Sequence, residues 1–202
     1  MCLTLTYNFN KQAEAKTFLR IVDYPYSVYP LPGGLNNAYV INSNSPEIVK
    51  TEGILLSTFP KDRKSFPNAH LEQTVEGDFD IFSHHILVKS DANNIYQGIM
   101  LKNPTNKTIK LNIMASSTYL TGPNAPFIKL ENYLQNNNGN VYAGPGDRVS
   151  QDILRNKNYY NKSFVEIKPN QSFMLMNEKI FIAPLATING KTTMFKLNSD
   201  GP

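Results

Sequence analysis

Cysteine, tryptophan and histidine are scarce: the 202-residue chain holds one Cys, no Trp and three His. A lone Cys2 excludes an internal disulfide framework, and three histidines leave no zinc-finger spacing. No apolar run approaches the roughly 18 residues of a spanning helix, so no transmembrane segment is expected. Charge is sparse too, at 18% of residues, with a formal net charge of +4. That small excess is dispersed. The one basic cluster, Lys61-Asp62-Arg63-Lys64, is broken by an acid and reads as a solvated loop, so no nucleic-acid partner is expected. The glycines match neither GxGxxG nor GxxxxGK[ST], and no GxSxG elbow supports Ser83 beside His84 as a nucleophile. With 41% apolar residues the chain is not disordered by composition, and one domain is the default.

What is present is strand punctuation. From Ala38 onward, short runs of Val, Ile, Leu, Phe and Tyr alternate with clusters of Asn, Gly, Pro, Ser and Asp. Strands are expected at 38–42, 53–58, 79–89, 95–102, 108–119, 164–167, 172–176 and 192–197. Two pairs read as hairpins, one around Asn103-Pro104-Thr105-Asn106 and one around Lys168-Pro169-Asn170-Gln171. Ile109, Leu111 and Ile113 alternate with Lys110 and Asn112, giving one dry and one wet face, as antiparallel sheets permit. A helix is expected at 148–155, capped by Asp147, with Val149 and Ile153 on its buried face. Ala143-Gly144-Pro145-Gly146 before it reads as irregular. The fold class is therefore all-β, an antiparallel β-sandwich with one or two short helices, a jelly-roll winding being one way to connect it.

The ends read differently. Residues 1–30 form an N-terminal arm, with a short surface helix at 10–22 and an extended Tyr- and Pro-rich segment at 23–32. The start lacks the basic, apolar and small-residue sequence of a signal peptide. Residues 31–202 form the sandwich domain, and its last residues, Asn198-Ser199-Asp200-Gly201-Pro202, read as a turn leading towards a further strand.

Several segments in combination carry a family resemblance. They are LPGGLNNAYVINSNSPEIV (31–49), EGILLSTFP (52–60), GDFDIFSHHI (77–86), YQGIMLKNP (96–104), ASSTYL with NAPFI (115–128), VYAGPGDRVSQDILR (141–155) and the final SDGP. The chain resembles an uncharacterised, mostly cyanobacterial family of secreted or envelope proteins known only as a domain of unknown function. The resemblance implies a periplasmic or extracellular β-rich domain and supplies no catalytic residue. Its members begin with an export signal and continue past SDGP, and this chain departs from them at both ends.

Two constellations carry chemistry. His70, His84 and His85 fall near Asp80, and imidazole with carboxylate is a ligand set for a divalent metal. Neighbours on a strand point to opposite faces, so His84 and His85 would share an ion only across a bulge. Two hydrogen-bonded, half-buried histidines are the plainer reading. Asp78 and Asp80 otherwise read as surface turn acids. At the helix start Arg148 is placed to bind an anion at the amides, although Asp147 as a cap would repel one. Tyr24, Tyr26, Tyr29, Tyr159 and Tyr160 lie in expected loops, where rings stack on sugars or pack the chain onto itself. Tyr26, Tyr29, Asp147 and Arg148 are the ligand-binding candidates, and no catalytic residue is assigned. The functional expectation is a non-enzymatic surface module, without cofactor, that binds a protein partner or a polysaccharide. The alternative is a metal-dependent enzyme acting through His70, His84 and His85. An unpaired sheet edge is a route to a homo-oligomer.

Overall fold

Alternating apolar side chains make a strand two-faced, and β3 (Gly77–Val88) is the clearest case. Phe79, Ile81, Ser83, His85 and Leu87 are buried on one face, while Asp80, Phe82, His84 and Ile86 take the other, half-buried. The structure is a computed structural model that describes residues 36–89, 95–132 and 134–202. The expected helix at 10–22, the extended segment at 23–32, and Tyr24, Tyr26 and Tyr29 lie outside the described residues.

Within the unit Asn36–Pro202 the strands form two sheets. β1 (Tyr39–Ser43) and β2 (Ile48–Val49) pair in turn with one side of β3. On the other side follow β8 (Ile188–Ser199), β5 (Ile109–Leu120) and β6 (Phe164–Ile167), each antiparallel to its neighbour. β4 (Tyr96–Lys102) and β7 (Ser172–Lys179) make a second, two-stranded antiparallel sheet. Phe79 opposes Leu197 and Ile81 opposes Phe195 in the β3–β8 register. These four pack with Leu111, Ile113 and Val165 against Leu175 and Met176 of β7, so the core lies between the sheets. The all-β sandwich is thus observed, divided six and two.

A bulge in β5 changes which residues face that core. Ile113 opposes Leu197 and Ala115 opposes Lys196, which leaves Met114 unpaired and exposed. Before the bulge, the inner face carries Ile109, Leu111 and Ile113; after it, Ser116 and Thr118 are buried there. Ala115 turns outward onto α1 (Pro145–Leu154), packing with Val149 and Ile153. The helix therefore covers the outer face of the larger sheet as a third layer.

Five expectations need correction. The two turns are not hairpins. β4 and β5 lie in different sheets, as do β6 and β7, so each turn carries the chain from one layer to the other. The turns pair with each other instead. Asn103, which is buried, donates its side-chain amide to the carbonyls of Lys107 (2.7 Å) and Ile167 (2.8 Å), and its backbone amide to Gln171. Asn170 (φ 57°) holds the Pro169 turn, closed by Gln171 N–H to Lys168 C=O, and donates to Thr105. Second, β1 and β2 run parallel to β3, giving a mixed sheet with a parallel edge. Third, 53–58 is no strand: Ser57 makes a single bridge to His70, while two-residue β2 was not foreseen.

Fourth, α1 begins three residues before 148. Gly144 is the N-cap and Pro145 the first helical residue, where its missing amide costs nothing. At φ 92°, with the Phe127 ring lying where a Cβ would stand, Gly144 admits no side chain. Asp147 is accordingly the third helical residue. Its carboxylate reaches back past the N-cap to accept from Ala143 N–H (3.0 Å), while Gly144 N–H donates to Pro126 C=O. Asp78 and Asp80 likewise sit within β3 rather than in a turn.

Candidate functional site

β6 pairs only with residues 109–112 of β5, so the second half of β5 has no strand on that side. Residues 157–160 cover part of this edge. Ser116 organises them: its amide donates to Lys157 C=O, its carbonyl accepts from Tyr159 N–H, and its hydroxyl donates to Asn158 Oδ1 (2.7 Å). Asn158 in turn donates to Lys162 C=O, and left-handed Asn156 and Asn161 bracket the segment. Tyr159 is thereby set on a fixed backbone with its side chain largely exposed, and Tyr160 packs edge-on against Phe195.

Beyond Thr118 the edge opens into a cleft made of two adjoining hollows of about 210 and 470 Å³. Tyr159, Thr118, Asn177 and Glu178 line both, and Asn124, Lys179 and Lys191 line the larger. Two facts of strand geometry produce it. The second sheet has only two strands, too few to cover the six beneath, and the layer between the sheets turns polar at this end. Gln97 donates to Ser83 (2.7 Å) and accepts from Thr193 (3.1 Å), and Thr193 meets Thr118 at 2.8 Å. Lys191 of β8 crosses to Glu178 of β7 at 2.6 Å; the lysine side chain is 4% exposed and the glutamate 33%. Among the described residues no buried side-chain polar atom lacks a partner.

The outer rim of the cleft rests on a second cluster. Asp152 of α1 accepts from Ser117 Oγ (2.9 Å), Tyr119 Oη (2.7 Å) and Lys157 Nζ (2.5 Å). Burial works to raise the Asp152 pKa, but these hydrogen bonds and the Lys157 charge outweigh it and hold the carboxyl below its ordinary range. Burial, then the Asp152 hydrogen bond and charge, push the Tyr119 phenol up. The Arg148 guanidinium lies 4.0 Å from the centre of the Tyr119 ring and 4.6 Å from that of Tyr142, and donates to Asn124 C=O.

The residues singled out in the sequence fall as follows. Arg148 is held between two tyrosine rings, and Asp147 between Ala143 N–H and Gln151 (2.9 Å), so both are engaged within the fold rather than arranged around an anion. His85 Nδ1 donates to Pro46 C=O (3.0 Å), which fixes the tautomer and makes Nε2 the acceptor from Ser43 Oγ (2.9 Å). Burial holds its pKa below the ordinary imidazole range. His84, on the opposite face, meets Thr192 Oγ1 (2.6 Å) and Glu47 (3.3 Å). Asp80 shares that face but stands four residues away, about 13 Å along a strand. His70 contacts Phe59 C=O. The four are not brought together, and among the described residues no group of three or more His, Cys, Asp or Glu side chains is placed to hold an ion.

Of the cleft, only Tyr159 and Tyr160 stood out in the sequence. Lys191 was missed because the expected strand began at 192. Extended to 188, the strand places Lys191 in phase with Thr193, Phe195 and Leu197, and that alternation marks it as inward-facing. Glu178 likewise lay beyond the expected end of β7.

Comparison with curated proteins and with solved structures gives no match. A family model described as a protein of unknown function, DUF3370, matches residues 26–202, which takes in both sheets, α1 and the whole cleft. The chain belongs to that family.

Proposed function

We propose that the protein is an extracytoplasmic module that binds polysaccharide along the cleft beside Tyr159. The carrying observation is the pairing of a largely exposed, backbone-fixed aromatic ring with amide, carboxylate and ammonium groups in one open cleft. A sugar ring has an apolar C–H face and a rim of hydroxyls that both donate and accept. Tyr159 offers a surface to the face, while Asn177, Asn124 and Glu178 offer acceptors and donors to the rim. An open cleft suits a chain that enters and leaves at both ends. The extracytoplasmic placement rests on the resemblance to secreted and envelope proteins and is part of the proposal.

A screen of immobilised polysaccharide fragments tests it. Saturable binding is expected, weakened about tenfold, or ~1.4 kcal/mol, by Tyr159→Ala. The melting temperature of that variant should stay close to the parent's, because the ring is exposed. Binding by no glycan, or binding indifferent to both Tyr159→Ala and Asn177→Ala, would overturn the reading.

A further inference from the structure

The charges that line the cleft do not cancel. Apart from tyrosines, the ionisable groups of the larger hollow are Glu178, Lys179 and Lys191, and the smaller hollow adds no further charge. Lys191 and Glu178 close on each other at 2.6 Å, so the one carboxylate of the lining is already matched by a buried ammonium. Lys179 is left over. It is exposed at the end of β7, two residues from Asn177 and so on the same face of that strand, and its ammonium makes no ion pair among the described residues. Across the hollow nothing negative answers it: the Asn124 carbonyl is taken by the Arg148 guanidinium, and the Asp152 carboxylate under the rim by Ser117, Tyr119 and Lys157.

We propose that the cleft selects an acidic polysaccharide, a carboxylate or sulfate of the sugar chain meeting Lys179 while a ring face lies on Tyr159. This inference rests on the reading of the cleft as a glycan site and names the class of chain it takes. An ammonium offers three donors on a flexible stem and accepts none, so it gains most from an anionic oxygen and little from a neutral hydroxyl already satisfied by water. A basic sugar would meet like charge. Because Lys179 is exposed, its contribution is that of a surface ion pair, a preference of about fivefold at low ionic strength that salt screens. The ring contact, by contrast, serves acidic and neutral chains alike.

Calorimetric titration with matched oligosaccharide pairs tests the proposal: oligogalacturonate and oligomannuronate against their methyl esters, and sulfated galactan fragments against the desulfated ones. At least one acidic member should bind about fivefold more tightly than its neutral partner at low salt, the ratio falling towards one in molar sodium chloride. The uronate and sulfate pairs show which anion is preferred. Lys179→Gln should bring the ratio to about one and Lys179→Glu below one. Lys168→Gln removes the same charge from an exposed lysine in the turn between β6 and β7 and should leave the ratio as in the parent. Equal binding of acidic and neutral partners, or a preference that survives Lys179→Gln or falls equally with Lys168→Gln, would overturn the inference. If Tyr159→Ala still weakens binding in those cases, the cleft remains a glycan site and only the charge selection fails. Binding of none of these pairs, with a neutral ligand found in the wider screen, also overturns the inference alone, whereas no glycan binding at all overturns both.

Discussion

Asn103 carries more of the architecture than its place in a turn suggests. Its one side-chain amide joins the turn after β4 to the end of β6, so a single buried group adds to the backbone bonds that tie the two crossings together. Asn103→Ala removes both bonds, leaving Lys107 C=O with Thr105 Oγ1 (3.0 Å) as its remaining side-chain donor, and a loss of about 1–3 kcal/mol is expected in urea unfolding. His85 makes a different prediction. Its folded pKa lies below the ordinary value near 6.5, so the unfolded chain takes up a proton first as pH falls. Stability from this group is therefore full above about pH 6.5 and is lost as pH falls through the folded pKa. The melting temperature should drop between pH 7 and 5.5, and the drop should shrink in His85→Gln. Asp152 adds its own loss at lower pH, because its folded pKa is depressed and its stabilisation disappears as the carboxyl protonates. The sequence made the burial of His85 readable from the alternation of β3. It could not reveal Pro46 and Ser43 as partners, since both arrive through the parallel pairing of β1 and the chain just after it.

At the scale of elements, strand positions were legible and strand partners were not. Alternation is local, and it placed β3, β4, β5 and β6 within two residues of their observed ends. Pairing is set by which faces meet, and a tight turn between two apolar runs looks the same whether the chain folds back within a sheet or crosses to the next. The false hairpins follow from that ambiguity. So does the misjudged start of α1, where Pro145 and Gly146 read as breakers although a first helical turn tolerates both. The Lys191–Glu178 pair ties β8 to β7 across the layers, and its unequal burial gives an asymmetric prediction. Glu178→Ala leaves an ammonium 4% exposed without its partner and should cost about 3 kcal/mol or more. Lys191→Met leaves only a half-exposed carboxylate and should cost clearly less. Equal losses in denaturant unfolding would mean the pair is no more buried at one end than at the other.

On the scale of the whole molecule, the lopsided division into six and two strands is what makes sites possible. Two strands cannot cover six, and the uncovered ends differ in chemistry because the inner residues of β3, β5 and β8 run from Phe79, Leu111 and Leu197 to His85, Thr118 and Lys191. That gradient was in the sequence, but only the pairing of three distant strands aligns it. The described residues contain no helix long and apolar enough to cross a membrane, and β1, β6 and both strands of the smaller sheet present edges within the unit. A glycan lying in the polar cleft is tested by amide chemical-shift mapping with an oligosaccharide from the screen. Shifts are expected at Ser116 to Tyr119, Tyr159 and Asn177 to Lys179, with Ile109 and Ile167 unmoved. Shifts elsewhere with these residues silent would contradict it.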